Sequence, residues 1–215
     1  FRSRNCRVIA TSRSIEPSTD PQIVTVQGDV ADPKTAQTVF ETAMDRFGRV
    51  DTLVNNAGVF IAKPFTAYSM DDYAAYVGTN MTGFFHMSRR AIEAMRKQGR
   101  GHIVTVTTSV ADQPMTAVPA ALASLTKGGL NAATKALAIE CAKSGIRVNA
   151  VSPGIIKTPM HPVETHPAFA ALHPLGRMGD ASDIVDAIMY LDSAAFVTGE
   201  ILHVDGGQAA GHHMN

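Results

Sequence analysis

The sequence predicts an α/β fold, a parallel sheet covered by helices on both faces. Three observations carry that prediction. The strand-like runs, such as V-I-A-T at 8–11 and I-V-T-V at 23–26, are largely apolar and β-branched rather than strictly alternating. Between them lie segments with apolar residues at three-to-four spacing, the mark of amphipathic helices. Polar, turn-forming residues gather where the strands end: Ser12-Arg13, Asp29, N-N-A-G at 55–58, the hydroxyls Thr107, Thr108 and Ser109, and Pro153-Gly154. Ligands of such sheets bind beyond the carboxyl ends of the strands. One rim therefore collects most of the chemically suggestive side chains.

Each element has its own reason. Residues 8–11 and 23–26 read as the first two strands, separated by a turn-rich loop from Pro17 to Pro21. Asp32 can cap a helix and Pro33 can sit in its first turn. That helix buries Ala36, Val39, Phe40, Ala43 and Phe47, and Gly48 ends it. Residues 50–54 form the third strand. A polar loop runs to Ser69, and residues 70–96 form one long helical region containing Asn80. Residues 102–106 are the fourth strand. The helix over 119–143 puts Leu130, Ala133, Leu137, Ala138 and Cys141 on one face, and residues 147–151 are the fifth strand. Residues 158–179, rich in Pro, His and Gly, form an irregular lid. Ser182 caps a helix to about Leu191, and residues 201–204 are the last strand.

The totals bound the function. A length of 215 residues favours one domain over 1–215, and 45% apolar content supports a sizeable core. With 19 basic and 19 acidic residues, no field of one sign recruits nucleic acid or acidic lipid. No apolar run is long enough for a membrane span, and no signal-peptide pattern is found. Cys6 and Cys141 form no C-x-x-C, and this usage suggests a reducing compartment, the cytoplasm. His161, His166 and His173 with Glu164 have irregular spacing and read as lid residues before metal ligands, so no metal site is expected. His86, His102 and His203 fall within core elements and read as structural; His212 and His213 lie in a polar tail.

Six motifs then occur in order: G-D-V at 28–30, N-N-A-G at 55–58, G-T-N-M-T-G at 78–83, a Ser109…Lys127 pair, I-R-V-N-A-V-S-P-G-I-I-K-T-P-M at 146–160 and V-T-G-E-I-L-H-V-D-G-G at 197–207. Together they resemble the short-chain dehydrogenase/reductase family over nearly the whole chain. The resemblance implies a doubly wound Rossmann-type sheet and an oxidoreductase moving a hydride between NAD(P)(H) and a small carbonyl or alcohol, or an enone or quinone. It implies that Lys127 binds the nicotinamide ribose, Ser109 the substrate oxygen, and Asn80 a relay water. Asn56, Ala57 and Gly58 would pass beneath the cofactor. Asp29 and Val30 would flank the adenine, and Pro153, Gly154, Ile156 and Thr158 would hold the nicotinamide amide. Ser12 and Arg13 close the first strand where an acidic residue would bind a ribose 2′-hydroxyl. An arginine there can clamp a 2′-phosphate instead, which favours NADP(H) over NAD(H). Helices 70–96 and 119–143 would pair between subunits in a homodimer or homotetramer.

Two departures stand out. No strand with a glycine-rich turn precedes residue 8, so either the true N-terminus is absent from this sequence or the truncation is real. In place of the family's Y-x-x-x-K stands A-S-L-T-K, with Ala123 at the tyrosine position. A side-chain-sized gap beside the nicotinamide is then expected. The proton would come from a lid histidine, a water on Ser109 or the substrate itself. Alternatively the chain is a non-catalytic cofactor-binding or subunit-partner protein.

Overall fold

A computed structural model describes residues 1–211, so His212 and His213 lie outside the described residues. All six strands run parallel. β1 (Val8–Ser12) pairs with β2 (Ile23–Gln27), while β3 (Thr52–Asn55), β4 (Gly101–Val106), β5 (Ile146–Pro153) and β6 (Ile201–Val204) form a second sheet in that order. Ser12 sits opposite Gln27, and Asn55 opposite Thr105. Among the described residues no strand pairing joins β1 to β3.

Helices cover both faces. α1 (Pro33–Phe47) begins where Asp32 accepts a hydrogen bond from the Lys34 amide at 2.9 Å and ends at Gly48 with φ 72°. α1, α3 (Phe84–Gln98) and α4 (Ala121–Cys141) close one face around Phe40, Met95, Ile103, Cys141 and Val148. On the other face α6 (Ala181–Ser193) packs Ile188 and Leu191 against Val104 and Val151. Each fully buried aliphatic side chain of this kind contributes about 1.5–3 kcal/mol. The short α5 (His166–Ala170) lies inside the lid. No helix among the described residues is long and apolar enough to cross a membrane.

Four expectations change. The third strand starts two residues later than expected, because Asp51 and Val50 belong to the entry turn held by Gln98. The long helix over 70–96 is two helices: α2 (Met70–Tyr76) passes into a π-helical turn, Val77–Gly83, before α3 begins. The cap of α6 is Asp180 rather than Ser182, in a reciprocal capping box with Asp183. His203 is exposed against Asp112 (3.1 Å), and His86 is half-buried beside exposed Phe85, so neither belongs to the core.

His102 does lie in the core. At the amino end of the strands its Nε2 accepts from Asn149 at 3.1 Å and its Nδ1 faces Asp192 at 3.5 Å. The Glu200 amide donates to Asn149 Oδ1, which fixes that orientation. Burial is the main reason the imidazole is pushed down to about 4, with the Arg147 charge adding to it. An unfolded histidine binds a proton below about pH 6.5 and this folded one does not until about pH 4. Stability is therefore full above about pH 6.5 and is lost as the pH falls toward 4, by about 3 kcal/mol in total. Urea unfolding at pH 7 and pH 4.5 reads this directly, and His102→Gln should flatten that dependence.

Candidate active site

One cavity of about 810 Å³ runs between the β1–β2 pair and the four-stranded sheet. At its carboxyl end it is lined by Ser12, Val30, Asn56, Ala57, Asn80 and Lys127. Strand ends place four of these. β1 delivers Ser12, the turn after β2 delivers Val30, and the turn after β3 delivers Asn56 and Ala57. Asn80 comes from the π-turn and Lys127 from the second turn of α4.

The π-turn has a specific task. Its extra residue per turn aims Asn80 inward, where the side chain is 2% exposed. Asn80 Oδ1 accepts from the Val59 amide at 2.8 Å, and its Nδ2 donates to the Val59 carbonyl and to Thr126 Oγ1, both at 3.1 Å. Asn80 thus clamps the loop after β3 onto α4 and has no amide hydrogen directed at a relay water. Gly83, at the end of the turn, passes so close to Val30 that a Cβ would come within 2.6 Å of its methyl group.

Lys127 is half-buried and donates to the Thr107 carbonyl at 3.0 Å. A Cβ on Gly58 would sit 3.5 Å from Nζ, so the N-N-A-G turn lies directly against the ammonium. Burial is the sole cause pushing this lysine down to about 8.

The other half of the expected relay is arranged differently. Ser109 is 1% exposed and donates its hydroxyl to Gln208 Oε1; Gln208 Nε2 faces Met115 Sδ at 3.3 Å. Gly206 and Gly207, both at positive φ, together with Asp205 accepting from the Gly207 and Ala209 amides, fold the turn that carries Gln208 there. Ala123 is fully buried in an apolar cluster with Tyr76, Val110, Val118 and Leu122, onto which Leu172 of the lid packs. The expected gap at Ala123 is therefore absent, because neighbouring apolar side chains close around its methyl group. Neither Ser109 nor Ala123 lines the cavity that holds Lys127.

The remaining expected residues fall in three places. Gly154 and Ile156 line a second cavity, of about 360 Å³, behind the lid. Pro153 is buried at the end of β5 and Thr158 is exposed. A Cβ on Gly154 would come within 2.9 Å of the Asp205 Cα, so only glycine fits this crossing. Asp29 is exposed and its carboxylate accepts from the Ala31 amide, shaping the turn that presents Val30. Arg13 is exposed beside Ser12, and its carbonyl accepts from Gln27 at 2.8 Å.

The lid histidines do not reach the large cavity. His173 is 2% exposed, with Nδ1 against the Phe169 carbonyl at 2.9 Å and Nε2 accepting from the Ile155 amide at 3.0 Å. His161 stacks edge-on to Phe169, and His166 Nε2 lies 3.1 Å from the His161 carbonyl. Among the described residues no group of three or more His, Cys, Asp or Glu is placed to hold a metal.

Sequence reasoning missed Gln208, Thr126, Thr79 and Thr105. Thr79 and Thr105 line the large cavity, and Thr105 Oγ1 is buried with no partner. Only the position of Thr105 at a strand end could have signalled it.

The chain is similar to known proteins over most of its length. The chain is 35% identical over 184 residues to the 3-oxoacyl-[acyl-carrier-protein] reductase of Vibrio cholerae, covering 83% of this chain and 75% of the relative. The structure superposes on ElxO with NADP bound at a TM-score of 0.91, with 29% identity, over 97% of this chain and 91% of that one. It also matches the 3-ketoacyl-(acyl-carrier-protein) reductase of Brucella melitensis complexed with NADH, at TM-score 0.82 and 32% identity, over 88% and 79% of the two chains. A family model described as enoyl-(acyl carrier protein) reductase matches residues 5–209, and with the parallel, doubly covered sheet it shows that this chain belongs to the short-chain dehydrogenase/reductase family of oxidoreductases.

Proposed function

We propose that this chain transfers a hydride between NADP(H) and a small carbonyl or alcohol, with an enone or quinone as the other acceptor class, using an atypical proton donor. The observation that carries this reading is the convergence of Ser12, Val30, Asn56, Ala57, Asn80 and Lys127 at the carboxyl end of one cavity. The residues fit the nucleoside ends of such a cofactor: an apolar wall at Val30, a close backbone turn at 56–58, and a cation at Lys127. No glycine-rich turn lines this cavity among the described residues. When bound, the cofactor supplies or takes the hydride.

Lys127 keeps two ammonium hydrogens for ribose hydroxyls after its bond to Thr107. Asn80 holds the turn that passes beneath them. Asp29 fixes the turn in front of the adenine, and Arg13 stands where a 2′-phosphate would lie. Pro153, Gly154, Ile156 and Thr158 are proposed to hold the nicotinamide amide, on a backbone course that His173 fixes through Ile155. Exposed Phe85 on α3, with Leu125 and Ile139 on α4, supports a homodimer or homotetramer built on those helices.

Mixing the protein with NADPH or NADH and a panel of ketones, quinones and enones, and following the reduced nicotinamide by absorbance, tests the activity. A charge-assisted contact of about 1.5–3 kcal/mol implies tighter NADPH binding by about tenfold or more. Arg13→Ala should equalise the two cofactors; equal affinity in the unaltered protein removes the preference. Bound cofactor with no turnover across the panel favours a second reading, a cofactor-binding or subunit-partner protein, which the burial of Ala123 and the Ser109–Gln208 bond support.

A further inference from the structure

The side chains near the site that could supply the missing proton, Lys127 apart, are committed elsewhere. Ser109 gives its hydroxyl hydrogen to Gln208. The Tyr76 hydroxyl accepts from the Ile61 amide at 2.6 Å and faces its carbonyl at 3.0 Å, and burial pushes that phenol up to about 12. Tyr68 donates to the same carbonyl. The His173 ring is bonded at both nitrogens, and His161 and His166 do not line the cavity. At the carboxyl end of the large cavity, Lys127 is the lining group that can exchange a proton.

We propose that Lys127 is itself the acid–base residue of the reaction. This rests on the oxidoreductase reading above. In reduction, a Lys127 N–H bond breaks and an O–H bond forms at the substrate oxygen while the carbonyl carbon gains the hydride; the carbonyl π pair becomes the new O–H bond. The neutral amine left behind recovers a proton from water. In oxidation, the amine accepts the alcohol proton. The end of β4, the turn at 55–58, the π-turn and the rest of α4 surround this ammonium, and no neighbouring charge contributes to its titration. Thr107 faces it with a carbonyl and Gly58 with a bare backbone. Its titration near pH 8 lets it act in both directions at neutral pH.

The test compares the unaltered protein with Lys127→Arg and Lys127→Met. Arginine keeps a cation for ribose hydroxyls and cannot release a proton at working pH. Under this proposal Lys127→Arg retains NADPH binding, measured by calorimetry, while the rate falls by about a hundredfold or more. The reductive pH profile of the unaltered protein should turn down above about pH 8, and that limb should vanish in Lys127→Arg. Competitive acylation with acetic anhydride, read by mass spectrometry without cofactor, should show half-maximal Lys127 reactivity near pH 8. A rate and pH profile preserved in Lys127→Arg, or acylation titrating with the surface lysines, overturns the assignment and leaves the oxidoreductase reading intact. Absence of turnover in the unaltered protein overturns both.

Discussion

An Ala123→Tyr substitution is expected to destabilise the protein by about 1–3 kcal/mol and to leave carbonyl reduction no faster than before. The family motif places a tyrosine here, so the exchange looks like a simple restoration. The structure argues otherwise. Ala123 has no exposed surface and sits among Tyr76, Val110, Val118 and Leu122. A phenol at this position must displace close-packed side chains, and its hydroxyl would enter an apolar cluster with no partner in place. Ser109, the hydroxyl that would meet the substrate beside it, is already bonded to Gln208. Urea unfolding midpoints and turnover with NADPH and a ketone panel check both halves. A stable variant with a large gain in rate would mean that the cluster opens freely and that this packing argument fails.

Asn80→Ala is expected to cost about 2–4 kcal/mol and to weaken cofactor binding by tenfold or more. The substitution removes three hydrogen bonds and strands both the amide and the carbonyl of Val59 in a part-buried site. Each stranded group carries its own desolvation cost of about 1–3 kcal/mol. The loop after β3 then loses its attachment to α4 at Thr126, and the turn at 56–58 is no longer held against Lys127. Asn80→Asp should fall between, since a carboxylate accepts from Val59 but donates to nothing. Denaturation and calorimetric titration with NADPH measure the two effects. Unchanged affinity in Asn80→Ala would show that the loop is positioned by other contacts.

The fold was largely legible because its signals are local. Asp32, Pro33 and Gly48 mark α1 within a residue of where it lies, since caps and positive-φ glycines act through neighbouring backbone groups. The π-turn was not legible. Helical periodicity runs smoothly through residues 70–96, and the inserted residue is stabilised by Val59 and Thr126, which are distant in sequence. The same holds for the site. Lys127, Asn56 and Val30 could be read because they follow strand ends or sit in recurrent motifs. The fate of Ser109 could not, because it depends on Gln208, 99 residues away. The lid histidines looked available in the sequence, and their bonds to Phe169, Ile155 and the His161 carbonyl decide otherwise.

The bond between Ser109 and Gln208 also bears on the order in which the chain assembles. It joins residues 99 positions apart. β4 and β6 are brought together only through β5, which pairs with both. The carboxyl-terminal turn therefore locks onto Ser109 only after that central strand is in place, since a contact of such long sequence separation carries a large closure cost.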